Sequence, residues 1–140
     1  MSFDVAVNIW AVLASAVASM VIGSIWYGPL FGKQFMHAMG MDTWSPERQT
    51  AEKKRMGRLY FGQFVASVVM FYVFAWLMGV LGAVDLMAGV QAAFWVWLGF
   101  VVPVKFADSL WGGKMVMFWL GAGNMLLTLL AAGIIIGVWH

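Results

Sequence analysis

Four runs of this chain, residues 5–32, 59–84, 86–104 and 115–139, contain no Asp, Glu, Lys, Arg or His. Nothing else in the sequence restricts the fold as much. A helix rises about 1.5 Å per residue and a bilayer's hydrocarbon core is about 30 Å thick, so roughly 20 residues cross it. Backbone amides in lipid must be satisfied internally, by helices or by a closed barrel. The runs are continuously apolar, without the in–out alternation of barrel strands. The chain is therefore predicted to be all-α, a four-helix transmembrane bundle of two helical hairpins in one integral domain over residues 1–140. Expected spans are about 5–27, 59–83, 87–104 and 115–138, and the long connection is 28–58.

Only 10% of the residues are charged, against about a quarter in soluble domains, so the informative property of those charges is their position. Lys33, Arg48, Lys53, Lys54, Arg55 and Arg58 fall between spans one and two, and Lys105 and Lys114 between three and four. All eight basic residues thus share one face, which the positive-inside rule places in the cytoplasm, with both termini opposite. A net charge of +2 is too small for a nucleic-acid groove. The absence of cysteine removes thiolate chemistry and sulfur-based metal sites. Met1 to Asp4 carries no Lys or Arg, so span one is expected to be retained, not cleaved as a signal peptide.

Between spans one and two, Pro29 is expected to end the first helix. Phe31, Phe35, Met36 and Met39 then recur at helical spacing, which predicts a short interfacial helix stopped by Gly40. Ser45-Pro46-Glu47 reads as N-cap, first residue and acidic first turn of a long second helix. Its basic first turns form a stop signal touching anionic lipid, with a partner-binding arm as the alternative. The short outer connection around Asp85 should make spans two and three an antiparallel pair, with Asp85 capping span three. Pro103 should kink or end span three, and Gly112-Gly113 should turn the chain into span four.

Small residues recur every fourth position at Ala11, Ser15, Ser19 and Gly23, and again at Gly133 and Gly137. Shorter pairs are Gly62 with Ala66, Gly89 with Ala93, and Gly79 with Ala83. Such stripes let helices approach closely in lipid, within one subunit or between copies. Polar groups inside the expected spans are few and not ionisable, which counts against a proton-coupled carrier. Asn124 is the costliest of them and is expected to bond to a neighbouring helix, with ligand contact as the alternative. Lys105 and Asp108, three residues apart, are a candidate ion pair. His37 and His140 lie on opposite faces, so no metal or haem site is expected in one subunit, and no cofactor. No hydrolase or phosphate-binding motif is present, so enzyme activity is not expected.

The segment Gly23-Ser24-Ile25-Trp26-Tyr27-Gly28-Pro29-Leu30-Phe31-Gly32-Lys33 resembles the signature of a family of small bacterial four-helix membrane proteins, domain of unknown function 1761. Val7-Asn8, Gly99-Phe100 with Pro103, and the Gly-rich fourth span extend the likeness over nearly the whole chain. The resemblance implies a four-helix architecture, a bacterial inner-membrane location and a marked site at Trp26, Tyr27, Pro29, Phe31, Gly32 and Lys33. The leading expectation is a non-enzymatic bundle in the lipid bilayer that forms a homo-oligomer or joins a larger membrane complex. The alternative is a small oligomeric transporter or channel with a pathway near Ser15, Ser19 and Asn124.

Overall fold

A computed structural model of the chain describes residues 4–40, 43–82 and 85–139. It is all-helical and has four helices long and apolar enough to cross a membrane: Ile9–Leu30, Pro46–Leu81, Leu86–Gly112 and Met115–Val138. Span one comprises α1 (Ile9–Ile25) and one turn of π-helix (Trp26–Leu30), and leads into the short α2 (Gly32–Ala38). Span two is α3 (Pro46–Leu81). Span three is α4 (Leu86–Val96), a second π turn (Trp97–Val101) and α5 (Val102–Gly112). Span four is α6 (Met115–Val138).

Local chemistry sets the helix ends. The Asn8 side chain accepts from the amides of Trp10 and Ala11 at the start of α1, and Asp85 accepts from the Ala88 amide at 2.7 Å at the start of α4. Ser45 accepts from the Arg48 amide, with Pro46 next to it, and opens α3. Gly40 and Gly113 adopt φ of +74°, the left-handed conformation that closes helices. The 36 residues of α3 make a rod of about 54 Å, so its basic N-terminal turns project beyond a hydrocarbon core of about 30 Å.

The expectation that Pro29 ends the first helix needs correction, as does the alternative that Pro103 ends span three. Pro29 does not end the helix. It sits inside the first π turn, where the Phe31 amide donates to the Trp26 carbonyl. Phe31, at φ −127° and ψ 17°, is the residue that breaks the helix. Nor does Pro103 end span three, because the second π turn, closed by the Val102 amide donating to the Trp97 carbonyl, precedes it. The wider turn gives room for the ring and accommodates backbone groups that proline would leave unpaired. The helix consequently continues to Gly112, and Lys105 and Asp108 are helical residues of span three.

The centre of the bundle is α6, which packs on α4, α1 and α5. Gly89 and Gly133 bring the backbones of α4 and α6 into direct contact, and Gly137 sits 2.7 Å, measured from the position of a Cβ, from the Asp85 carbonyl. Ser67, Phe71, Phe74 and Met78 turn the outer half of α3 toward α1. The core joins them through Ala11, Val12, Ala16, Leu129, Ala132 and Ile136. Spans two and three, expected as a packed pair, run antiparallel but meet little. Met78 reaches Gly89, while the main contacts of α3 go to α1 and those of α4 to α6. Close glycine contact holds α4 on α6, and α3 packs on α1 instead.

One end of the bundle gathers Asn8, which donates to the Trp139 carbonyl, Val5 against Gly79, and Asp85 beside Gly137. Because four spans alternate in direction, the junctions carrying Lys and Arg lie at the other end.

Candidate functional site

Near the basic end, two tryptophans grip α6 in the same way. Each begins a π turn, and each has a backbone carbonyl that accepts from the amide five residues ahead. The indole N–H of Trp26 donates to the Leu120 carbonyl at 2.9 Å, and that of Trp97 to the Ala122 carbonyl at 2.8 Å. A buried indole N–H in lipid needs an acceptor, and a helix carbonyl has a spare lone pair. Access comes from the Leu120-Gly121-Ala122-Gly123 run. A Cβ on Gly123 would lie 2.7 Å from Cζ2 of Trp26, and one on Gly121 would lie 3.5–3.6 Å from the end of Lys105.

The structure gives each residue of the marked segment a separate task. Trp26 anchors span one to α6, and Phe31 packs its ring on the indole at 4.5 Å. Tyr27 packs edge-on against Phe35 of α2 at 4.8 Å. Pro29 lies in the π turn. Gly32 is buried against the Tyr27 carbonyl, which a Cβ would approach to 2.9 Å. The segment thus bends the chain out of span one and seats α2 on its end, and Lys33, in the first turn of α2, faces outward.

From there Lys33 lines a cleft of about 560 Å³ between α2 and the projecting part of α3. Lys33, Met36 and His37 form one helical face, while Glu52, Lys53, Met56 and Leu59 form the opposing one. Trp44 closes the rim, with the Arg48 guanidinium stacked over its ring at 4.2 Å. Glu52 accepts from Arg55 at 3.0 Å.

Other expected residues are placed as follows. Lys105 is partly buried against Gly121, and Asp108 is exposed. The two are not in ion-pair contact, because Lys105 lies along α6 and does not fold back on its own helix. Asn124 follows Gly123, but its Oδ1 is buried without a hydrogen-bond partner, contrary to the expected bond to a neighbouring helix. The two indole N–H groups that reach this turn are already bonded to the Leu120 and Ala122 carbonyls. Ser15 is 1% exposed and its hydroxyl donates to the Ala11 carbonyl. Ser19 donates likewise to the Ala16 carbonyl. Along the α1 stripe, Ala11 and Ser15 are buried, whereas Ser19 and Gly23 are only partly covered. A Cβ on Gly23 would meet nothing within 4 Å. On α6 both Gly133 and Gly137 are closed within the subunit. His140 and Ala83 lie outside the described residues.

Sequence reasoning missed Trp97 as the counterpart of Trp26. The available signal was the recurrence of Trp-x-Gly with a following proline and lysine: Trp26, Gly28, Pro29, Lys33 and then Trp97, Gly99, Pro103, Lys105.

A family model described as "Protein of unknown function (DUF1761)" matches residues 10–137. No curated protein and no solved structure matches the chain.

Proposed function

This chain belongs to the DUF1761 family of proteins of unknown function, and we propose that it is a non-enzymatic membrane component whose bundle assembles with further copies of itself or within a larger membrane complex. The observation supporting this reading is the half-used stripe of α1. Ala11 and Ser15 are buried in the subunit, but the same stripe continues through Ser19 to Gly23, which has open space before it. Lipid gives helices no hydrophobic reason to associate, so small residues are valuable where another helix comes close. Gly62 and Ala66 on α3 offer a second open pair. The non-enzymatic part rests on the sequence, in which no nucleophile stands with a base in a known catalytic pattern. A pathway past Ser15 and Ser19 gains no support, since both hydroxyls bond to their own helix.

The location belongs to the same proposal: a bacterial inner membrane, with the basic junctions in the cytoplasm and both termini in the periplasm, as the grouping of all eight Lys and Arg residues implies.

Native mass spectrometry after mild extraction tests the assembly. The wild-type chain should appear as one defined oligomer or with a co-purifying protein. Gly23→Leu should convert it to monomer without loss of helicity, because a Cβ at this position meets nothing within 4 Å in its own subunit. A wild-type chain that runs as a stable monomer alone would remove the proposal.

A further inference from the structure

We propose that the cleft between α2 and the projecting part of α3 is a binding site for an anionic phospholipid of the leaflet on the basic side. This goes beyond assembly and does not depend on it. The cleft, about 560 Å³, is within the range of small-molecule sites. Its walls combine two chemistries. Lys33 and Lys53 supply positive charge, and neither is engaged in an ion pair. The acidic lining residue, Glu52, is already neutralised by Arg55. Met36, Met56 and Leu59 supply an apolar surface, and all three are exposed.

These groups are ordered along α3. Lys53, Met56 and Leu59 follow one helical face toward the membrane, and that face continues at seven-residue spacing through the exposed Ala66 and Val73. A molecule matching this order has an anionic head joined to hydrocarbon, with the head at the lysines and the tail directed along α3 into the leaflet. A soluble anion would use only the charged end, and an uncharged lipid only the apolar end. The marked segment acquires a purpose in this arrangement, since the contacts of Trp26, Tyr27, Phe31 and Gly32 fix the position of α2 and hence of Lys33.

The test uses the full chain in mild detergent, titrated with phosphatidylglycerol or phosphatidylcholine of equal chain length and read by native mass spectrometry. Phosphatidylglycerol should bind about tenfold more tightly. The double variant Lys33→Gln/Lys53→Gln should abolish that preference. Lys54→Gln/Arg58→Gln removes the same charge from α3 outside the cleft, and should preserve it. Glycerol phosphate in hundredfold excess should fail to displace the lipid, because it lacks the tail. As a second measurement on the unmodified lysines, phosphatidylglycerol at saturation should change a fluorescence component that Trp44→Phe removes, because the headgroup would lie beside the Trp44 rim. Equal loss of preference in the two double variants would show diffuse attraction and overturn the proposal. So would absence of preference in the wild type, displacement by glycerol phosphate, or a fluorescence response to phosphatidylglycerol unaffected by Trp44→Phe.

Discussion

Gly123→Ala separates the grip of Trp26 on α6 from ordinary helix preference. In a helix, replacing glycine by alanine is worth about 1 kcal/mol in favour of folding. At Gly123 the new methyl would stand 2.7 Å from Cζ2 and 2.9 Å from Cη2 of Trp26, well inside the 3.5–4.0 Å of a favourable carbon contact. The indole would have to retreat by nearly 1 Å, and its 2.9 Å hydrogen bond to Leu120 would be lost. Overpacking of this kind costs about 1–3 kcal/mol, and an interhelical hydrogen bond in a membrane about 1 kcal/mol. Set against the helix preference, the net destabilisation should be about 1–3 kcal/mol. Reversible unfolding in mixed micelles, titrated with a denaturing detergent and followed by circular dichroism, measures it. Gly62→Ala, with nothing within 4 Å, is the control and should stabilise slightly. Trp26→Phe removes both the indole N–H and the crowded ring edge, so Gly123→Ala in that background should be neutral or stabilising. A Gly123→Ala variant as stable as wild type would refute the reasoning, as would effects of the two substitutions that simply add.

The Gly89–Gly133 contact places backbone against backbone, so Gly133→Ala should force α4 from α6 and cost about 2–3 kcal/mol in the same unfolding assay. Asn124→Leu should raise stability by about 1 kcal/mol, because it removes a buried oxygen without a partner; a fall would mean that the amide is satisfied by something bound. Under the proposed topology, Thr50→Cys in intact cells should react only with a membrane-permeant thiol reagent and Asp85→Cys also with an impermeant one, and labelling of both by the impermeant reagent would contradict it.

The spans were legible because lipid excludes charge so strongly that uncharged runs outline the helices directly. Helix ends with side-chain caps, at Ser45 and Asp85, were legible for a similar reason, since the capping group and its amide lie within one turn. The effects of Pro29 and Pro103 were not, because a proline in a helix can be accommodated by widening the turn, and local sequence does not distinguish that from termination. Helix pairing was hidden too. Each span is apolar on every side, so periodicity does not reveal which face meets a neighbour, and only contacts such as Gly89 with Gly133 decide it. For the candidate site, the marked residues could be named, but not the carbonyls of Leu120 and Ala122 that receive Trp26 and Trp97, because backbone acceptors carry no sequence identity. The cleft depends on residues as far apart as Lys33 and Leu59, and no short motif contains it.

The π turns also bear on how the chain tolerates insertion and deletion. Each holds one residue more than a regular turn between the same two hydrogen-bonded neighbours. Removing a residue from Trp97–Val101 would let an ordinary turn close between the same two neighbours, with the Val102 amide bonded four residues back instead of five, so the helix downstream would keep its phase. Lys105 would stay against Gly121, and the span would remain equally apolar. A residue lost at either π turn would therefore preserve both insertion into the membrane and the set of side chains that meet α6, whereas one lost elsewhere in these spans would re-aim everything beyond it by about 100°.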